Sequence, residues 1–232
     1  MRLDKFLCEL NTGTRSQVRD YIRHGLVTVN GRLVKNAELK INENTDVVTY
    51  KGRTLKYREF VYYMLNKPKG VVSATKDNTA DTVLKLIKEP AVKNLFPVGR
   101  LDKDTEGLLI ITNDGDLAHK LLSPKSHVDK TYLVGIGDSL SEEDIKRLEN
   151  GVDIGDDSMT LPAKVFVISQ REILLTIHEG RFHQIKRMLS AVGNEVVSLK
   201  RTAFGKLTLD EALLPGGYRE LNDREVELLH ES

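Results

Sequence analysis

Acidic side chains recur at alternate positions in Asp102-Lys103-Asp104-Thr105-Glu106-Gly107, just ahead of the apolar run Leu108-Leu109-Ile110-Ile111. Two chemistries use such a segment. Acids at the first, third and fifth places of a loop, with glycine at the sixth, suit a calcium ion. Here the twelfth place holds Asn113 where a bidentate glutamate belongs, and a buried strand is expected where a second helix should stand. A lone carboxylate at the mouth of a buried strand, Asp102, can instead act as nucleophile or general base. It then needs a nearby Lys or Arg to keep it ionised and aimed, and an apolar wall to strengthen that contact. Read alone, Asp102 also fits an ordinary solvated loop.

The cation is available in residues 181–206, which carry Arg181, Lys186, Arg187, Lys200, Arg201 and Lys206 against one acid, Glu195. Ile185, Met188, Leu189 and Val192 fall at helical spacing, so His183, Lys186 and Arg187 occupy the other side of that helix. A basic strip suits an RNA strand beside a reactive carboxylate, and a solvated helix face has the same pattern. Lys67 and Lys69, in Asn66-Lys67-Pro68-Lys69-Gly70, sit at a turn between two strand candidates. Their side chains are expected to reach outward, toward phosphate or solvent.

Other chemistries lack their residues. There is no P-loop, no nucleophile elbow and no GxGxxG; Gly135-Ile136-Gly137 has no third glycine. The six histidines show no zincin spacing, and a single cysteine, Cys8, precludes an intrachain disulfide or a cysteine-based zinc site and favours the cytoplasm. No apolar run approaches a membrane span, and the start is not that of a signal peptide. The 232 residues, 40% of them apolar, are enough for a packed core in one or two domains. The net charge is +1, but residues 1–60 hold 12 Lys and Arg against 7 Asp and Glu, so the first quarter is basic and the remainder mildly acidic.

The elements that must position these residues read as follows. Val61–Leu65 and Val71–Ser73 are expected to form a hairpin across the 66–70 turn, and Thr82–Ile87 a helix. Leu108–Thr112 is a buried strand and Leu117–Leu122 a helix. Lys130–Ile136 alternates, with Tyr132, Val134 and Ile136 on one face. Ser141 with Asp144 caps a helix running through Leu148; 163–168 and 172–177 are paired strands; Gly193 ends the helix around 185–192. Without regular βαβ alternation this is an α+β unit on a mixed, mainly antiparallel sheet.

In the basic quarter, Leu3, Phe6, Leu7 and Leu10 make one helical stripe, and Thr14 with Gln17 opens a second helix. Arg15, Arg19 and Arg23 line one side of it. Val27–Val29, the Asn30-Gly31 turn, Leu33-Val34 and Asp46–Tyr50 make a small sheet, and the polar stretch 50–59 reads as a linker. Arg2-Leu3-Asp4-Lys5-Phe6-Leu7, Thr14-Arg15-Ser16, Arg19, Ile22, Gly25 and Val27-Thr28-Val29-Asn30-Gly31 resemble the S4-type RNA-binding domain. That resemblance implies an RNA-docking ridge of Arg2, Lys5, Arg15, Ser16, Arg19 and Arg23.

A second resemblance covers roughly 60–230. Gly99-Arg100-Leu101-Asp102-Lys103-Asp104-Thr105-Glu106-Gly107, Gly180-Arg181-Phe182-His183-Gln184-Ile185-Lys186-Arg187, Asn66–Gly70 and Lys130-Thr131-Tyr132 resemble, in order, the motifs of pseudouridine synthases. With the S4-type domain in front, the chain is similar to the small-subunit rRNA pseudouridine synthase A family. The resemblance implies an RNA-binding domain at 1–58, a catalytic domain at 59–232, and isomerisation of a uridine in 16S rRNA without cofactor or metal. It implies Asp102 as the catalytic aspartate, Tyr132 as the stacking tyrosine and Lys186 as the paired cation, with Arg187 as the substitute should Lys186 point away. Arg100, Lys67, Lys69, His183, Gln184 and Arg187 are expected to contact RNA. A monomer free of membrane, acting on ribosomal RNA or an assembling small subunit, is expected. The alternatives are a 23S rRNA synthase and an inactive, RNA-binding assembly factor.

Overall fold

A computed structural model describes residues 1–88 and 94–232. The chain divides into two compact units, one holding Met1–Val61, the other Tyr62–Ile87 and Phe96–Ser232.

In the first unit, helices α1 (Leu3–Glu9) and α2 (Arg15–Arg23) pack on a sheet of β1 (Val27–Val29), β2 (Arg32–Leu33), β3 (Val48–Tyr50) and β4 (Arg53–Leu55), in the order β2-β1-β3-β4. The capping box at α2 forms as its spacing requires: Thr14 Oγ1 accepts from the Gln17 amide and Gln17 Oε1 from the Thr14 amide. Leu3, Phe6, Leu7, Val18, Ile22, Val27, Val29, Ile41 and Val48 make the core. Residues 50–59 are not simply a linker. β4 lies inside them and pairs with β3, Thr54 opposite Thr49, because a two-residue turn at Lys51-Gly52 returns the chain.

In the second unit, nine strands among the described residues form one sheet: β5 (Tyr62–Lys67), β6 (Phe96–Pro97), β7 (Glu106–Thr112), β8 (Lys130–Ile136), β9 (Lys164–Ser169), β10 (Glu172–Ile177), β11 (Val196–Phe204), β12 (Leu207–Thr208) and β13 (Tyr218–Glu220). The path is β13-β5-β7-β11-β8-β10-β9, with β6 on β7 and β12 on β11. β7 and β11 are parallel and the other pairs antiparallel, the mixed α+β sheet that the sequence indicates. Helices α3 (Gly115–Leu122), α4 (Glu142–Asn150), α5 (Gln184–Ala191) and α6 (Asp223–His230) complete the unit. Met64, Leu108, Ile110, Leu117, Leu121, Phe204 and Leu229 belong to its core.

Two expectations fail locally. The 66–70 turn does not return a hairpin strand: β5 pairs with β7 and β13, and of Val71–Ser73 only Val72 makes an isolated bridge, to Thr82. The Gly70 amide donates instead to Lys103 O at 2.7 Å, which turns the chain toward the 101–105 loop. Thr82–Ile87 holds one turn of 3-10 helix, Val83–Leu86, rather than an α-helix.

Candidate active site

Asp102 stands on the loop that joins β6 to β7, and that loop is fastened from below. Ser73 Oγ donates to Leu101 O at 2.9 Å and accepts from the Leu101 amide at 3.0 Å. The Lys67 ammonium, fully buried at the end of β5, donates to Thr105 O at 2.8 Å, Asp102 O at 3.0 Å, Pro68 O at 3.1 Å and Lys103 O at 3.4 Å. Burial lowers its pKa to about 8, against the pull of Asp104, Asp102 and Glu106. The expectation that Lys67 reaches outward to RNA is therefore corrected: converging carbonyls draw it under the loop. Lys69 does face outward, with Glu106 at 3.7 Å.

β7 begins immediately after this loop, against β11. Gly107 has φ 102°, and a Cβ there would stand 2.2 Å from Arg201 O. Only glycine lets the two parallel strands approach so closely, and that approach seats the loop over α5.

From α5 comes the cation. Lys186 Nζ lies 3.5 Å from the Asp102 carboxylate and donates to both oxygens of Asp104 at 2.7 and 2.8 Å. Asp104 is held below the usual carboxylate range by that hydrogen bond. His183, in the left-handed conformation at the helix start, places Nε2 3.7 Å from Asp102 and stacks its ring on the exposed Phe182, centroids 3.8 Å apart. Tyr132, on the inward face of β8, and Arg100, exposed beside Asp102, line the same cavity, walled by Leu101, Ile177, Ile185 and Leu199. The arrangement is a carboxylate with a lysine aimed at it, an aromatic ring and an apolar wall, suited to holding a flat, uncharged base against a nucleophile or base.

Three residues expected at an RNA surface are occupied otherwise. Gln184 is buried: it accepts from the Arg181 amide and donates to Glu179 Oε1, both at 2.9 Å. Arg187 donates to Ile154 O, Phe182 O and Asp156, so it is not a stand-in for Lys186 and is not free for RNA. Lys67 is the third. A basic side chain on a helix does not disclose which acceptors lie across from it, and across from Arg187 lie Ile154 O and Asp156 of the segment 153–160. Arg181 grips that segment too, through Ser158 O and Met159 O at 2.7 Å, and Glu179 at 2.9 Å.

Arg2, Lys5, Arg15, Ser16, Arg19 and Arg23 belong to the first unit and are exposed there. Arg2 and Arg19 converge on the buried Asp4, at 2.7 and 3.7 Å, and the Arg2 hydrogen bond holds Asp4 below the usual range. Arg23 pairs with Asp20 at 3.2 Å.

Residue spacing does not single out Asp104 as the direct partner of Lys186, which the structure shows it to be. Asp102, Asp104 and Glu106 do not converge, and among the described residues no group of three or more His, Cys, Asp or Glu is placed to hold a metal ion. No helix among them is long and apolar enough to cross a membrane.

Residues 61–191 match the RNA pseudouridylate synthase family, and residues 1–47 the S4 domain. The chain is 48% identical to the uncharacterized RNA pseudouridine synthase YtzG of Bacillus subtilis, over all of this chain and 99% of that one. It is 43% identical to ribosomal small subunit pseudouridine synthase A of Vibrio cholerae, covering 97% and 98% of the two chains, and 42% identical to that of Escherichia coli K12 over 97% and 98%. A crystal structure of a pseudouridylate synthase superposes with a TM-score of 0.70 at 39% identity, covering 99% of both chains. The likeness to these relatives runs from end to end, and the protein belongs to the RNA pseudouridylate synthase family, with an S4 domain preceding its synthase region.

Proposed function

We propose that this protein converts one uridine of small-subunit (16S) ribosomal RNA to pseudouridine, with Asp102 as the catalytic carboxylate and no cofactor. The observation that carries the reading is the placement of the Asp102 carboxylate in one cavity with the Tyr132 ring and 3.5 Å from the Lys186 ammonium. The reaction breaks the ribose C1′–N1 bond, turns the uracil and forms C1′–C5, while the C5 proton is lost and N1 gains one. Atoms and electrons balance within the substrate. Asp102 serves either as nucleophile toward sugar or base, or as the base that takes a sugar proton. Tyr132 offers a face to a base taken out of its helix. Flipping costs a few kcal/mol, and stacking returns about 1–3 kcal/mol. Lys186, pinned by Asp104, fixes the direction of the Asp102 carboxylate.

The small-subunit assignment is supported by the names of the relatives from Vibrio cholerae and Escherichia coli. Arg100 and Lys69 are exposed beside the Asp102 loop and contact the RNA in this reading, His183 borders the flipped base, and the exposed arginines of the first unit dock structured RNA. The protein works as a cytoplasmic monomer on rRNA or an assembling particle.

Pseudouridine mapping of both rRNAs from cells with wild-type protein, Asp102→Asn or none tests this. The expected result is one small-subunit site lost in both altered strains. Loss of a large-subunit site instead overturns the 16S assignment and keeps the chemistry. No lost site overturns the enzymatic reading in favour of a binding factor.

A further inference from the structure

β8 and β11 are antiparallel neighbours with Tyr132 opposite Arg201 and Lys130 opposite Phe204. The register shifts between Arg201 and Ala203, which inserts one residue into β11. That bulge puts Arg201 and Phe204, three apart, on the same face as Lys130 and Tyr132, two apart on β8. All four line a cavity shared with Asp102.

Two of the four are cations that no carboxylate among the described residues pairs with. Arg201 is 2% exposed; its Nε donates to Leu108 O at 2.7 Å, while Nη2 is buried and has no acceptor. Lys130 Nζ donates to Val128 O at 2.7 Å. Both cations otherwise face the ring of Phe204, at 5.2 and 5.5 Å from its centroid. The carboxylates near them are committed. Asp129 is taken by His178 at 2.5 Å and Lys164 at 3.9 Å; Glu179 is taken by Arg181, Gln184 and the Leu161 amide, each at 2.9 Å. Burial lowers the Lys130 pKa to about 8 and Arg201 pushes the same way, with Asp129 and Glu179 opposing, so Lys130 is still charged at neutral pH. Like charges sharing a half-dry cavity repel, and an anion seated between them recovers both the repulsion and the lost hydrogen bonds.

We infer that Lys130 and Arg201 form an anion subsite that takes a backbone phosphate of the RNA beside the flipped uridine. Uracil is neutral and gives two cations nothing to neutralise. A nucleotide whose base lies on Tyr132 carries a phosphodiester on either side of its ribose, and Lys130 is the neighbour of Tyr132 on the same face, two residues along β8. The assignment rests on the isomerase reading for the identity of the anion. The cation pair itself stands on the geometry.

The test compares wild type, Lys130→Met and Lys130→Arg in two arms. In the first, thermal unfolding is followed in inorganic phosphate and in chloride at matched ionic strength. Phosphate stabilises wild type and Lys130→Arg, and the excess disappears in Lys130→Met. In the second, pseudouridine formation on transcribed rRNA is followed against salt. Lys130→Met raises KM about tenfold with a smaller change in kcat, and flattens the slope of log affinity against log salt by about 0.7, one phosphate contact on a single strand. Lys130→Arg restores both. Equal phosphate response and equal KM in wild type and Lys130→Met overturn the subsite. A phosphate response without the KM change leaves an anion site that RNA does not use, and overturns the RNA assignment. If wild type modifies no rRNA, the isomerase reading fails by itself, and the first arm still judges the cation pair.

Discussion

Replacing Lys67 by methionine keeps the apolar stem and volume but removes the ammonium that holds the Asp102 loop. Three carbonyls within 3.1 Å, those of Thr105, Asp102 and Pro68, lose their donor. Orphaning each costs about 1–3 kcal/mol. Part returns, because the variant no longer keeps a charge out of water: a lysine lowered from 10.5 to about 8 carries roughly 3 kcal/mol of that strain at 1.36 kcal/mol per pH unit. The net expectation is a loss on the order of 3 kcal/mol, a fall in Tm of roughly 6–12 °C for a chain of this size. Turnover, assayed well below the variant's Tm by release of tritium from C5 of labelled uridine in the RNA, falls further, since an ångström of displacement at a reacting carboxylate costs about 100-fold. The difference also depends on pH. The folded state releases the Lys67 proton near pH 8 while the unfolded chain keeps it to about 10.5, so this residue's contribution to stability rises with pH across that window. Urea unfolding at pH 7.5 and 9.5 must therefore show a wild-type advantage over Lys67→Met that widens at the higher pH. A variant as stable and active as wild type, with a gap constant in pH, refutes the reasoning.

Gly107→Ala and Gly70→Ala should separate close approach from backbone conformation. Both glycines have positive φ, 102° and 86°, but a Cβ at 107 meets Arg201 O at 2.2 Å, whereas one at 70 meets nothing within 4 Å. Gly70→Ala is expected to cost about 1–2 kcal/mol, and Gly107→Ala more than about 4 kcal/mol, with insoluble expression; equal losses by thermal unfolding would contradict the steric account. Arg15/Arg19/Arg23→Ala is expected to weaken rRNA binding and lower the salt slope by up to about 2, at about 0.7 per phosphate contact on a single strand. Its kcat at saturating RNA should match wild type, and an unchanged slope in filter binding would remove the ridge from the RNA interface.

What could be read from the residues was local. The boxes at Thr14/Gln17 and Ser141/Asp144 close over three residues, and both helices start where the spacing puts them. The apolar run of β7, the alternation of β8 and the stripe of α5 likewise contain their own instructions. Asn222 with Glu225 makes the same box at the start of α6. Failures came where a distant backbone decides. The 66–70 turn leads to Lys103 O rather than to a hairpin, and Lys67, Gln184 and Arg187 find carbonyls or a carboxylate that no spacing announces. The family resemblance implied that Asp102, Tyr132 and Lys186 meet, and the structure lines one cavity with all three. The bidentate hold of Asp104 on Lys186 needed coordinates, because one carboxylate's preference over another is a matter of tenths of an ångström.

The one parallel pairing among the described strands, β7 with β11, sets an order of events during synthesis. β5, β6 and β7 leave the ribosome early, and β5 and β6 can pair with β7 at once; β8, β9 and β10 follow, with β10 pairing between β8 and β9. β11 alone stitches the two groups together, and Arg201 meets Leu108 across 93 positions of chain. Until Lys200 and Arg201 have been translated, the Glu106–Gly107 end of β7 lacks its β11 partner and is open to pairing with another nascent chain. A long-range closure of this kind is slow compared with the local hairpins before it. The newborn chain therefore passes through a stage with the two helices of its S4 domain made and its synthase sheet still in two pieces.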